Sequence, residues 1–264
     1  MTESPAITVI TPCFNAAATI EQTLESVRAQ GYPNLEHVVV DGASTDGTVE
    51  VLERSEGIRW ISEPDRGMTD ALNKGLAMAT GDVVGELNAD DVYEPGALLA
   101  VGEAMAANPD AEWLTGLCRI IDERGEEIRR FVTAYKNLFL RRYSLPLFLT
   151  QNFVSTPATF VRRAVAQELG GFDERYKNSM DYDLWLRLAR RGDPIVLDRY
   201  LASFRFLESS VSVTVGFENQ FREHALQARK YGEGHPLAMA ANQVLSRLIV
   251  VIYRAMQLLR RSSA

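Results

Sequence analysis

The chain of 264 residues is short of cysteine, histidine, net positive charge and long apolar runs, and each shortage removes a class of protein. Its two cysteines, Cys13 and Cys118, form no spacing motif, so no disulfide framework is expected and a reducing compartment fits. His37, His224 and His235 fall at no ligand spacing. The net charge of -7 provides no basic field for nucleic acid. No apolar run approaches the ~20 residues of a spanning helix. Residues 1–6 lack the basic and apolar regions of a signal peptide, so a cytoplasmic location is expected. No Gly-x-Gly-x-x-Gly follows the first apolar run and no Gly-Lys-Ser/Thr loop is present, which disfavours a dinucleotide oxidoreductase and a P-loop nucleotide site. There is no internal repeat or low-complexity tract.

What is present is an alternation. Short β-branched runs at 7–11, 38–40, 58–61 and 83–87 alternate with helical spacing at 19–29, 48–54 and 68–79. Gly81 suits the position just after the third helix. Strand, helix, strand in this order predicts a mostly parallel, Rossmann-like central sheet flanked by helices, an α/β fold. The second half is less regular. A helix is expected over 96–108, a hairpin from 113–121 and 128–132 around the turn at 122–125, and helices over 165–169 and 182–191. Strands are expected at 159–161, 195–197 and 201–206, and a helix over 217–231. Residues 134–152 fit no single element. The domain expectation is one unit over 1–232 with two functional lobes, divided at about 118. A helical extension follows at 233–264.

Polar residues crowd the tips of the apolar runs. Asn88, Asp90 and Asp91 lie within four positions at the end of the 83–87 strand. Ligands of open α/β sheets bind beyond the carboxyl ends of strands, and crowded carboxylates favour a hard divalent cation with oxygen ligands. A polar turn capped by Asp91 is the plainer reading. Asp41 ends the second strand as either an Asx-turn residue or a ligand contact. Asp181 opens a helix, where a carboxylate is stabilised by the helix dipole and can serve as a cap.

Four stretches resemble glycosyltransferase family 2 of the GT-A fold, in the branch that decorates bacterial surface polysaccharides and glycolipids. They are Ile7 through Asn15, Asp41 through Thr48, Glu63 through Gly75 leading into Leu87 through Asp91, and Gly171 through Glu174 followed by Met180 through Leu188. By that resemblance Thr11, Pro12 and Asn15 line the nucleotide pocket, Asp41 contacts the base, and Gly67 and Asp70 sit near the nucleotide. Asn88-Ala89-Asp90 takes the Asp-x-Asp position, with Asp90 holding Mg²⁺ or Mn²⁺. Asp181 matches the catalytic base, and Arg205 is placed to reach the diphosphate. The resemblance implies transfer from a nucleotide-sugar donor to a glycan or lipid-linked acceptor. With one base and no nucleophile beneath the sugar, inversion is expected. Three positions depart from the pattern: Asn88 replaces the first Asp, Met180 a Glu, and Phe206 and Leu207 stand where a His is usual. The departures leave open a sugar-nucleotide-binding protein without turnover. A sugar nucleotidyltransferase would share the metal and the sheet, but residues 12–15 are neither Gly-rich nor basic.

Over 237–261, Leu245, Leu248, Ile249, Ile252, Met256 and Leu259 are spaced for one apolar face, with Arg247, Arg254, Arg260 and Arg261 alongside. That face has three readings: packing on the catalytic domain, pairing in a homodimer, or peripheral contact with the inner face of the plasma membrane.

Overall fold

Parallel pairing of four early strands creates the frame on which the rest is hung. The computed structural model describes residues 4–207 and 217–262. Strand β1 (Ile7–Cys13) is buried along its whole length and pairs in parallel with β2 (Leu35–Asp41) on one side and β4 (Val83–Glu86) on the other. Strand β3 (Arg59–Ser62) adds in parallel to β2. Helices α1 (Ile20–Arg28), α2 (Thr48–Glu53) and α3 (Met68–Met78) make the crossovers, as the alternation requires. Beyond β4 the sheet becomes mixed. Strand β7 (Thr159–Arg162) pairs antiparallel with β4 and with β6 (Trp113–Ile121). Strand β8 (Ile195–Arg205) runs parallel to β6, and the short β5 (Val92–Tyr93) closes the edge. The order is β3-β2-β1-β4-β7-β6-β8-β5.

Two glycines set the spacing around β1. A Cβ on Gly75 of α3 would lie 2.3 Å from Ile10 Cγ2, so its absence lets the helix settle on the strand. Gly81 was expected as a helix terminator in the left-handed region. The helix ends instead at Ala79 in extended conformation. Gly81 packs flat against β1, where a Cβ would be 2.8 Å from the Thr8 nitrogen, and its own N–H donates to Thr8 Oγ1 at 2.9 Å.

The second half corrects several expectations. Residues 128–132 form no strand. Ile128 still donates its N–H to the Ile120 carbonyl at 2.8 Å, but Arg129 then turns the chain at φ 49° and α5 (Arg130–Leu140) begins. Thr133, Asn137 and Leu140 recur at helical spacing and are the buried side of α5, so burial period overrides the short β-branched run. The unassigned stretch is thus α5 followed by α6 (Leu145–Thr150). The strands expected at 195–197 and 201–206 are the single strand β8, whose pairing with β6 shifts register near Gly116–Cys118. Helix α4 (Ala97–Ala107) lies between β5 and β6, and α7 (Arg163–Glu168) follows β7.

Helix α8 (Met180–Ala189) is buried on most of its surface. Trp185 stacks on Trp113 at 6.2 Å between ring centroids, and Tyr182 donates its hydroxyl to the Phe148 carbonyl at 2.8 Å, which ties α8 to β6 and α6. Helices α9 (Phe217–Tyr231) and α10 (Pro236–Ser262) complete the chain. The start of α10 packs on α6: Ala238 and Asn242 are buried, and Asn242 Nδ2 donates to the carbonyls of Leu149 at 3.0 Å and Thr150 at 3.1 Å. Leu248 of the expected apolar face is exposed, and the side chains of Ile252, Arg254, Met256, Leu259, Arg260 and Arg261 lie outside the described residues. Among the described residues no helix is long and apolar enough to cross a membrane.

Candidate active site

In the order β3-β2-β1-β4 the direction of winding switches beside β1, and in open α/β sheets ligands bind in the crevice between the loops leaving the strands at such a switch point. The loop after β1 is cross-linked to the loop after β2. Asn15, at φ 50°, donates its N–H to Ser44 Oγ at 2.7 Å and accepts at Oδ1 from the Thr45 N–H at 2.9 Å. Asp46 accepts from the Ala17 N–H at 3.0 Å and from the Thr48 hydroxyl at 2.5 Å.

Beneath these loops Asp41 is fully buried. One oxygen accepts from the Ser44 N–H at 2.9 Å and the Ser62 hydroxyl at 2.6 Å; the other accepts from the Ser44 hydroxyl and the Cys13 thiol. Burial alone would raise its pKa, but the bonds from Ser44 and Ser62 hold it below the ordinary carboxylate value. With donors on both of its oxygens, Asp41 braces the turn. Thr11 is likewise turned inward, fully buried with its hydroxyl 2.9 Å from His37 Nε2, and Pro12 is buried beside it. Burial lowers the His37 pKa to about 4, which keeps the ring neutral.

The residue that does reach the opening here is one the sequence reading passed over. Phe14 is 63% exposed at the β1 tip and lies against Gly42, whose missing Cβ would be 3.3 Å from its ring. Asp65 sits on the same glycine. Gly67, at φ 110°, starts α3, and Asp70 in its first turn pairs with Arg66 at 2.7 Å and Lys74 at 3.5 Å. The Arg66 bonds draw the Asp70 pKa down to about 2.

Across the crevice the β4 tip is held from below. Asp91 is fully buried; its Oδ1 accepts from the Arg205 N–H at 2.8 Å and its Oδ2 from Asn88 Nδ2 at 3.1 Å. Arg205 was expected at the diphosphate. Its guanidinium is spent instead on the Asp90, Asp122 and Glu123 carbonyls and on Gln22 Oε1, at 2.8–3.0 Å, and the side chain is buried. Its planar fork of donors is being used as a clamp for the loop rather than as an anion ligand. Ala89 is buried between the two polar neighbours.

The donor set at this tip fits a hard divalent ion. With its amide nitrogen committed to Asp91, Asn88 leaves Oδ1 buried and without a partner. The Asp90 carboxylate bonds to no other described residue's side chain, and burial raises its pKa above the ordinary value against the pull of Arg205. One carboxylate and one carboxamide oxygen match the few protein ligands that Mg²⁺ takes when phosphates supply the rest. Among the described residues no group of three or more His, Cys, Asp or Glu forms a closed metal cage.

Asp181 lies in the first turn of α8. Its Oδ2 accepts from the Thr156 hydroxyl at 2.6 Å and its Oδ1 from the Tyr182 N–H at 2.7 Å. Burial raises its pKa, and these two bonds and the nearby Lys136 partly offset the rise. Lys136 of α5 donates to Ser155 Oγ at 3.0 Å, one residue before Thr156. Glu86, at the end of β4, is the link to the Asn88–Asp91 loop. It is buried, one carboxylate oxygen has no partner, and burial together with Asp181 and Asp91 drives its pKa well above the usual range. Asp91 and Asp181 thus both bear electrostatically on Glu86. Glu86, Lys136 and Thr156 were not singled out in the sequence. A lone acid interrupting a buried strand was the available signal for Glu86.

The model of the family described as glycosyl transferase family 2 matches residues 8–170. The chain belongs to that family. An uncharacterized glycosyltransferase of Mycobacterium tuberculosis is 32% identical over 211 residues, covering 77% of this chain and 76% of that one. A chondroitin synthase of Escherichia coli is 26% identical over 196 residues, 71% of this chain but 27% of its own length. Among solved structures, a mannosyltransferase of Pyrobaculum calidifontis, in complex with GDP-mannose and Mn²⁺, superposes with a TM-score of 0.69 at 21% identity, covering 97% of this chain and 81% of that one. The fold of this family 2 glycosyltransferase is GT-A: a mostly parallel sheet flanked by helices, with further helices at the C-terminus.

Proposed function

We propose that this glycosyltransferase uses Asp181 as the base that deprotonates an acceptor hydroxyl, and Asp90 with Asn88 as the protein ligands of Mg²⁺ or Mn²⁺ at the donor diphosphate. The observation that carries the reading is the buried, partnerless Oδ1 of Asn88 beside Asp90 at the β4 tip, with Glu86 of the same strand end feeling the charge of both Asp91 and Asp181. The Mn²⁺ bound by the mannosyltransferase relative and the glycan chemistry of the chondroitin synthase relative support it.

Each residue has a physical task. Phe14 offers an aromatic face on which a nucleotide base stacks, on the wall braced by Asp41 and Asn15. Asn88 Oδ1 and Asp90 would hold the ion, which would supply charge neutralisation at the departing diphosphate. Asp181 keeps lone pairs beyond those used by Thr156 and Tyr182, and its raised pKa makes it a better proton acceptor than an exposed carboxylate. The acceptor oxygen bonds to the anomeric carbon as the carbon–oxygen bond to the diphosphate breaks; the proton passes to Asp181 and the electron pair leaves with the nucleotide. With no protein nucleophile in the scheme, one displacement inverts the anomeric centre. The acceptor is a glycan or lipid-linked hydroxyl of the bacterial cell surface, reached from the cytoplasmic side.

Assaying nucleoside diphosphate against pyrophosphate release from UDP-, GDP- and dTDP-sugars, with and without Mn²⁺, tests the reading. Diphosphate release that requires metal is expected. Asp181→Asn should lower kcat at least ~10²-fold with donor binding retained, and Asp90→Ala should remove the metal dependence together with turnover. Pyrophosphate as the product, or full activity of either variant, would rule the assignment out.

A further inference from the structure

We propose that the outer face of α5 docks on an anionic lipid surface. Phe131, Tyr135 and Leu138 are one turn apart on this helix and all exposed, Phe131 at 85% and Leu138 at 44%, while the buried residues Thr133, Asn137 and Leu140 occupy the opposite side. Val132 extends the exposed apolar strip. An apolar strip of this kind has few rivals on a soluble surface, where large side chains normally stand singly.

Charge selects the occupant. From 128 to 142 the chain carries Arg129, Arg130, Lys136, Arg141 and Arg142 and no acidic residue, and the next carboxylate is Glu168. This occurs in a chain whose net charge is -7. The four arginines flank the strip at both ends of the helix and are exposed. Arg141 pairs with Asp198 at 2.7 Å and Arg130 with Glu127 at 3.8 Å; Arg129 covers the Phe206 ring at 3.7 Å, and neither Arg129 nor Arg142 has a carboxylate partner among the described residues. The acids at 122–127 precede the helix and limit the basic surface on that side. Aromatic and aliphatic side chains framed by arginines suit the headgroup boundary of an anionic bilayer, where the rings enter and the guanidinium groups stay with the phosphates. A second copy of this chain would bring the same positive charges together and is disfavoured.

The inner side of the same helix carries Lys136, which is bonded to Ser155 beside the residue that holds Asp181. A surface-bound α5 would therefore set the base a short distance from the lipid plane, where the hydroxyl of a lipid-linked acceptor lies. That consequence rests on the proposed transfer reaction; the docking does not.

Co-sedimentation of the full chain with vesicles of phosphatidylcholine alone, or mixed with phosphatidylglycerol, tests the proposal without any activity readout. Binding to the phosphatidylglycerol vesicles only, weakened by salt, is expected. F131S/L138S should lose at least about tenfold in binding, R129Q/R142Q should lose most of the salt dependence, and V244S/L248S on α10 should bind as the unaltered protein does. If F131S/L138S fails to fold, F131W serves: its emission should shift to the blue on addition of phosphatidylglycerol vesicles. No binding to either vesicle, loss through V244S/L248S alone, or a dimer that F131S/L138S dissociates would each overturn the assignment.

Discussion

Arg205 holds the acidic loop from two sides at once: its backbone N–H donates to Asp91 Oδ1 at 2.8 Å, and its Nε donates to the Asp90 carbonyl at 2.8 Å. The last residue of β8 is thereby the anchor of the β4 tip, although 114 residues separate Arg205 from Asp91. The position of Asp90 depends on this clamp.

Removing the clamp should be costly. Arg205→Ala removes the donors of three partly buried carbonyls, each hydrogen bond worth about 0.5–1.5 kcal/mol net, so the free energy of unfolding should fall by about 2–4 kcal/mol in a denaturant titration. Arg205→Lys keeps the charge but not the fork, and should recover less than half of the loss. A lysine variant as stable as the native chain would mean that charge alone suffices.

Lys136 should set the pH at which Asp181 becomes a base. Its ammonium favours the Asp181 carboxylate against burial. Lys136→Met should therefore raise the Asp181 pKa and move the acidic limb of kcat/KM to higher pH. The same shift is expected from Thr156→Val, which removes a hydrogen bond to Asp181. A lower rate with an unmoved limb would assign these residues to packing instead.

Glu86 makes a prediction about stability and pH. Its folded pKa lies well above the ordinary 4.5, so above that pH the unfolded chain releases a proton that the folded chain retains. The group therefore subtracts stability as pH rises from 4.5 toward the folded pKa. Glu86→Gln removes the titration. Its stability relative to the native chain should increase with pH over this window, by at most about 1.4 kcal/mol per pH unit. Parallel pH–stability curves for the two proteins would show that Glu86 is not the protonated group.

The start of α10 belongs to the folded body. Asn242 caps two carbonyls of α6 from a buried position. Truncation after Gly234 should lower Tm by several degrees, and Asn242→Ala should reproduce part of that loss, about 1–3 kcal/mol for the buried carbonyls. A truncated chain with unchanged Tm would detach the helix from the core.

Local pattern was enough to read the first half of this protein from its sequence. Apolar runs at β1, β2 and β4, helices spaced between them and polar residues at the strand tips all follow from side-chain period and turn chemistry, which act within a few residues. That placed Asp41, Asn88, Asp90 and Asp181 at element ends. It did not decide which way they face. Asp41, Thr11 and Arg205 match donor contacts only through the family resemblance, and each finds partners across the fold, in Ser62, His37 and Asp122. Only the tertiary structure could decide this, because a buried polar group must be satisfied by whatever neighbour the packing supplies, and that neighbour can be a hundred residues away. For the same reason residues 134–152 had no assignment and 128–132 read as a strand, where α5 stands. That helix is specified by a core lying on one side of it, and its exposed apolar strip becomes visible only once that core is in place.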